Sequence, residues 1–251
     1  MDTQVRVTLV ANAGVLLRYR DTAILLDALF SEEEAPYCAA SPAVTEKLLC
    51  GEPPFEQIDY VLFTHLHADH FSETATREFL SRRQIRGLVL PASGQSDFLS
   101  FVKETGTPCS VLTEHTRKTV FRLSAEIRIT AFRTLHLDRK YHDLPHFCYL
   151  IAFGEKKLLF TSDADYTEES FAFLGEETVT AAFVNPMFFS DLRRRRFFRG
   201  SLPAENIVVY HLPFPADGEQ LQRMFAQNLR TWPEDGPPVT VLERELETIV
   251  L

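Results

Sequence analysis

Thr64-His65-Leu66-His67-Ala68-Asp69-His70 gathers three of the chain's eight histidines within six residues, beside an aspartate. Neutral imidazole and carboxylate are donors to first-row divalent cations, at about 2.0–2.2 Å. His65 and His67, two apart, can point to one side of an extended loop. Asp69 and His70, offset by the next turn, can point to an adjacent position. The pattern predicts a pair of metal centres, one rich in nitrogen and one mixed. A lone histidine reads first as a satisfied polar loop or a helix cap; this cluster is far more specific.

A two-metal site needs donors from distant sequence, and three apolar runs end in suitable residues. The run 127–135 leads into His136, the run 157–162 into Asp163, and the run 206–210 into His211. Strand-end placement on one rim lets separate segments converge on one point. His142 and His146 follow closely behind His136. They read either as loop polarity or as a substrate contact or proton donor to a leaving group.

The elements that must position these residues come from hydrophobic periodicity. Tyr60-Val61-Leu62-Phe63 is a buried-strand run that delivers the histidine cluster, and 72–82 has helical spacing with Ser72 as N-cap. Upstream, 5–10, 15–19 and 23–27 are short strands separated by turns at Asn12-Ala13-Gly14 and Arg20-Asp21-Thr22. Residues 28–58 break the pattern, with one short helix around 44–49; excursions of this length often act as lids. Downstream follow a strand at 87–90, a helix at 96–104 and a strand at 109–112. Antiparallel pairs are expected at 118–123 with 126–133 and at 147–153 with 156–161. Then come a helix at 168–174, strands at 179–184 and 206–210, a helix at 218–230 and a terminal strand at 239–242. Strands followed by strand–helix alternation, in two similar halves, predict two sheets covered by helices. No Gly/Ser-rich linker or composition shift interrupts 1–251, so one domain is expected.

The chain's 251 residues are 45% hydrophobic, enough to bury a core. The net charge of −9 argues against a dedicated nucleic-acid binder, which needs clustered positive charge. No apolar run reaches the roughly 20 residues that span a bilayer, and no basic-then-apolar leader opens the sequence. Cys38, Cys50, Cys109 and Cys148 form no C-x-x-C and read as reduced core thiols, so the expected compartment is the cytoplasm. Arg193-Arg194-Arg195-Arg196 is a local exception to the acidic balance. It reads as a solvated face or as a clamp for phosphate or carboxylate. Phe188, Phe189, Phe197 and Phe198 around it read as core or interface.

These motifs together resemble the metallo-β-lactamase superfamily of metallohydrolases, nearly end to end. Asn12-Ala13-Gly14 with Leu25-Leu26-Asp27 is similar to the family's opening hairpin and first aspartate. Ile58 to Thr64 is similar to the strand into the metal motif. Phe160-Thr161-Ser162-Asp163 is similar to the family's T-G-D, with Ser162 in place of Gly, and His211 to the late final ligand. The resemblance implies an α/β fold, a four-layer αββα sandwich with the metals at one edge. It implies two divalent ions: His65, His67 and His136 on the first, Asp69, His70 and His211 on the second, and Asp163 bridging. Asp27 would orient ligands or water. Zinc suits the imidazole-rich set, with Mn²⁺ or Fe²⁺ as alternatives. The implied activity is hydrolysis of an ester-type substrate by a metal-bridging hydroxide, oriented in part by Asp69, with His146 as a candidate proton donor.

Among the compact members without a tRNA-binding arm, a small anionic substrate is expected, a phosphodiester or phosphorylated lactone. Neither a membrane nor nucleic acid is an expected partner, and nothing in the sequence sets the oligomeric state. A non-catalytic metal-binding or partner-binding member of the fold is the alternative; the filling of all seven ligand positions favours the enzyme.

Overall fold

Short β-branched and leucine-rich runs, punctuated by turns, build two mixed sheets. The computed structural model describes residues 3–31, 39–92, 96–167, 171–174, 177–190, 197, 202–214, 219–232 and 236–251. The chain divides into two compact units, Met1–His115 with Arg244–Leu251, and Thr116–Glu243.

In the first unit β1 (Arg6–Leu9), β2 (Val15–Tyr19) and β3 (Thr22–Leu26) form an antiparallel meander. Helix α1 (Pro42–Cys50) is capped by Ser41, with Pro at its first position, and ends at Gly51 in the left-handed region. Then β4 (Tyr60–Leu62) adds parallel to β3. Helix α2 (Glu73–Arg82) starts at Ser72, whose side chain accepts from Ala75 N–H. Strand β5 (Gly87–Pro91), helix α3 (Ser96–Glu104) and strand β6 (Cys109–Leu112) complete the parallel half. The core beneath includes Phe63, Phe71, Phe79 and Phe98.

The second unit repeats this scheme. β7 (Lys118–Arg122), β8 (Ile127–Thr134), β9 (His146–Phe153) and β10 (Lys156–Phe160) are antiparallel. β11 (Ala181–Val184), β12 (Ile207–Val209) and β13 (Val239–Val241) continue in parallel, with helix α4 (Glu219–Leu229) between the last two. All eight residues of β9 are buried, as befits a strand covered on both faces. Phe132, Phe171, Phe188, Phe189 and Phe197 form much of this core; Phe198 lies outside the described residues. A last strand, β14 (Thr248–Val250), returns to the first sheet beside β1.

Several expectations are corrected. β14 was not foreseen. The stretch 168–174, where a helix was expected, is helical at Phe171 and runs on as a 3₁₀ turn at Ala172–Leu174; 168–170 lies outside the described residues. His146 opens a strand and is fully buried, so loop polarity does not describe it. Among the described residues Cys148 alone is a core thiol; Cys50 and Cys109 are exposed and form no disulfide, and Cys38 lies outside the described residues. No helix among the described residues is long and apolar enough to cross a membrane.

Candidate metal centre

The loop after β4 is pinned at both ends. Phe63 and Phe71 are buried and meet edge to face, ring centroids 5.0 Å apart. Ser72 N–H donates to Leu29 O, which fixes the loop's exit. Within it, His70 and Phe71 N–H both donate back to His67 O at 3.0 and 2.9 Å. That turn offsets Asp69 and His70 from His65 and His67, as the spacing predicted.

Asp27, at the end of β3 and wholly buried, organises the loop. Its Oδ1 accepts from Thr64 N–H at 2.8 Å, and its Oδ2 accepts from Thr64 Oγ1 at 2.5 Å and from His70 Nδ1 at 3.0 Å. The Thr64 hydroxyl has one hydrogen, which it gives to Asp27. It therefore accepts from His65 Nδ1–H, 3.1 Å away, and the lone pair of His65 lies on Nε2. That atom stands 3.1 Å from His67 Nδ1. Two donors on one tetrahedral ion, with bonds of 2.0–2.1 Å, are separated by about 3.3 Å, so the spacing suits a shared cation. His70 repeats the logic. Its Nδ1–H is held by Asp27, and its Nε2 faces Asp69 Oδ2 at 3.9 Å. Carboxylates holding the remote nitrogen of a ligand histidine are the usual outer support of metal sites.

The second unit presents a matching arrangement. Leu137 N–H donates to Asp163 O and Asp165 N–H to Leu135 O, both at 2.7 Å, so the segments carrying His136 and Asp163 lie side by side. Asp163 Oδ2 is 3.6 Å from His136 Nε2, and its Oδ1 is 3.5 Å from His211 Nε2. One carboxylate thus offers each oxygen to a different histidine. Asn185, just after β11, donates its Nδ2 to Asp163 Oδ1, and its own Oδ1 accepts from Met187 N–H, which fixes the amide's orientation. The sequence reading missed Asn185. The available signal was its place after a buried strand, as for Asp163 and His211.

Of the five non-glycine residues with positive φ among the described residues, three lie at or beside these positions. Asp27, Ser162 and His211 have φ of 50°, 48° and 59°, the left-handed region that costs an L-residue roughly 1–2 kcal/mol. Strain of this kind tends to be kept where function needs it. The same backbone accounts for the glycine that the family resemblance implies at position 162: the position needs a left-handed conformation, which Ser162 adopts at a cost.

His146 pairs in register with Thr134, and its Nδ1 is 2.7 Å from Thr134 Oγ1. Its ring lies edge-on to His136 with centroids 5.9 Å apart. Tyr141, also missed from sequence, meets His136 edge-on at 5.2 Å. It sits on a 3₁₀ turn that begins after Asp138, where Lys140 holds the Asp138 carboxyl below the usual range. His142 caps that turn; among the described residues neither it nor His146 groups with other potential ligands. The arginine run at 193–196 lies outside the described residues.

The donor set fits a first-row divalent cation on each count available: imidazole and carboxylate chemistry, burial, and fixed outer nitrogens on His65 and His70. A family model described as a β-lactamase superfamily domain matches residues 22–224. No curated protein sequence matches the chain. Among solved structures, the metallo-β-lactamase fold protein YhfI from Bacillus subtilis is 16% identical with a TM-score of 0.63, over 98% of this chain and 99% of that one. An isothiocyanate hydrolase from Delia radicum gut bacteria is 16% identical with a TM-score of 0.60, over 97% and 98%. CmlA, a diiron β-hydroxylase from Streptomyces venezuelae, is 18% identical with a TM-score of 0.57, over 100% of this chain; the chain spans 54% of CmlA's length. At these identities the likeness shows the fold, the α/β metallo-β-lactamase sandwich expected from sequence.

Proposed function

Because the chain belongs to the β-lactamase superfamily, we propose that it is a metal-dependent hydrolase with a dinuclear centre and an anionic ester-type substrate. In this reading His65, His67 and His136 hold one ion, Asp69, His70 and His211 hold the other, and Asp163 serves both. The observation that carries it is Asp163 itself, with one oxygen toward His136 and the other toward His211. A carboxylate that served a single ion would have no need of histidines on both sides.

Two divalent ions supply Lewis acidity, an acidified water and stabilisation of developing negative charge. The chain's own residues do the positioning. Asp27 fixes His70 and Thr64, Thr64 fixes the tautomer of His65, and Asn185 steadies Asp163. His146, held by Thr134, is assigned proton delivery to the leaving group. Zinc is assigned on the nitrogen-rich donors. The diiron neighbour makes iron the competing outcome, which elemental analysis separates. The anionic substrate rests on the Arg193-Arg194-Arg195-Arg196 run, and phosphodiesters and phosphorylated lactones are the classes it suits.

Metal-reconstituted protein should hydrolyse bis(p-nitrophenyl) phosphate. His136→Ala should abolish turnover and lose metal, whereas His146→Ala should keep metal and turn over more slowly. At least one Arg→Ala change in the run should raise KM for the phosphodiester ten- to a hundredfold, the worth of a charge-assisted contact of about 1.5–3 kcal/mol. It should leave a neutral ester unaffected. A metal-loaded protein inert toward esters of either charge would sink the hydrolase reading in favour of a non-catalytic binding role.

A further inference from the structure

We propose that the second unit carries a separate binding site for an amphiphilic anion, on the face of its sheet built by β7, β8 and β9. A pocket of about 560 Å³ opens there, lined by Lys118, Arg122, Arg128, Val120, Leu150 and Phe173 among others. That is within the size range of small-molecule sites, about 300–1,000 Å³.

The charge pattern is the first observation. Arg122 and Arg128 are directly opposite in the antiparallel register of β7 and β8. Like charges in that position repel and weaken a strand pair. Period-two alternation puts Lys118 on the same face as Arg122. Among the described residues neither arginine forms an ion pair, and the Lys118 ammonium lies over the Phe173 ring at 4.7 Å. The acid in the lining, Glu177, is already taken by Lys157. Among the described residues three positive charges thus converge on a face whose lining acid is already paired, in a chain whose net charge is −9.

The floor is the second observation. Val120 and Phe173 are 44% and 37% exposed, large apolar side chains left open on a face rimmed by cations. The Thr130 hydroxyl also belongs to the lining and makes no hydrogen bond to a described residue. An apolar body on Val120 and Phe173, with its anionic head between the two guanidinium groups, answers both features. Guanidinium binds carboxylate, sulfonate or phosphate in bidentate fashion. This face is distinct from the metal ligands of the same unit. Arg128 lies six residues before the end of β8, about 20 Å along the strand, whereas His136 follows that end.

The test uses the metal-loaded full chain and 8-anilinonaphthalene-1-sulfonate, an aromatic anion whose fluorescence reports binding. The parent should bind about one equivalent. The Arg122→Gln/Arg128→Gln double variant should bind at least tenfold more weakly with unchanged metal content. The neutral analogue N-phenyl-1-naphthylamine should not distinguish the two proteins. In low salt without ligand the variant should melt no lower than the parent, because a repulsion has been removed. Equal sulfonate affinity in parent and variant would overturn the proposal. So would a lower melting temperature of the ligand-free variant, which would make the arginines structural. Binding of an oligoglutamate peptide without binding of the sulfonate would also overturn it, and would reassign the face to an acidic protein segment.

Discussion

Replacing Asp27 by Asn separates the work of this carboxylate from its shape. The side chain keeps its size, and Asn tolerates the φ of 50° at this position as well as Asp does. Oδ1 can still accept from Thr64 N–H. The group in place of Oδ2 becomes an NH₂, facing two donors, Thr64 Oγ1 and His70 Nδ1. Relief requires His70 to move its proton to Nε2, the atom facing Asp69, or to turn its ring. Either change removes the lone pair that an ion needs. Loss of a buried, hydrogen-bonded charge partner costs about 3–5 kcal/mol. At about 2–4 °C per kcal/mol for a chain of this size, the metal-free protein should melt about 6–20 °C lower. Metal affinity should fall about 10- to 100-fold, with the His70 ion lost first. Calorimetric metal titration of refolded apoprotein, with circular dichroism to confirm the fold, reads both effects. Parent-like affinity for two ions together with a parent-like melting temperature would refute the reasoning.

Three other outcomes follow from local geometry. A Cβ on Gly14 would lie 2.6 Å from Ala28 Cα and 2.8 Å from Asp27 O; Gly14→Ala should therefore cost about 1–3 kcal/mol in a denaturant titration and weaken metal binding through Asp27. Ser162→Val should destabilise by about 1–2 kcal/mol because a β-branched residue resists a positive φ, whereas Ser162→Gly should be nearly neutral by the same titration. Burial pushes the Cys148 thiol up to about 12 from 9.0, so between those pH values the unfolded chain has lost a proton that the native state keeps. Native stability should then fall with rising pH by about 1.4 kcal/mol per unit from this residue, and Cys148→Ala should show a correspondingly shallower alkaline decline.

Most of the candidate site was proposed from local signals. Ser72 was legible as an N-cap because a hydroxyl ahead of an amphipathic run has a specific partner, the N–H of Ala75. The ligand candidates were legible because each follows an apolar run with a donor of the right chemistry. What stayed hidden depends on distant partners. Strand β14 is three residues after a charged stretch, and only its pairing with β1, Val7 against Ile249, makes it a strand. Asn185 is an ordinary polar residue until Asp163 stands beside it. Asp27 was placed by resemblance alone; its three hydrogen bonds to the loop supply the physical reason. His146 falls outside the strand expected at 147–153, as loop polarity or a proton donor, because its polarity outweighs one residue of strand pattern; Thr134 opposite it holds the ring within the sheet.

The most direct test of the central claim is the metal content of the chain purified from metal-supplemented medium without chelator, beside that of Asp163→Asn. The account predicts about two ions per chain in the parent. It predicts a clear loss in Asp163→Asn with the fold retained, because the amide cannot offer a negative oxygen to an ion on both its His136 side and its His211 side. A parent protein that holds no metal under these conditions, or a variant that keeps both ions at parent affinity, would contradict it.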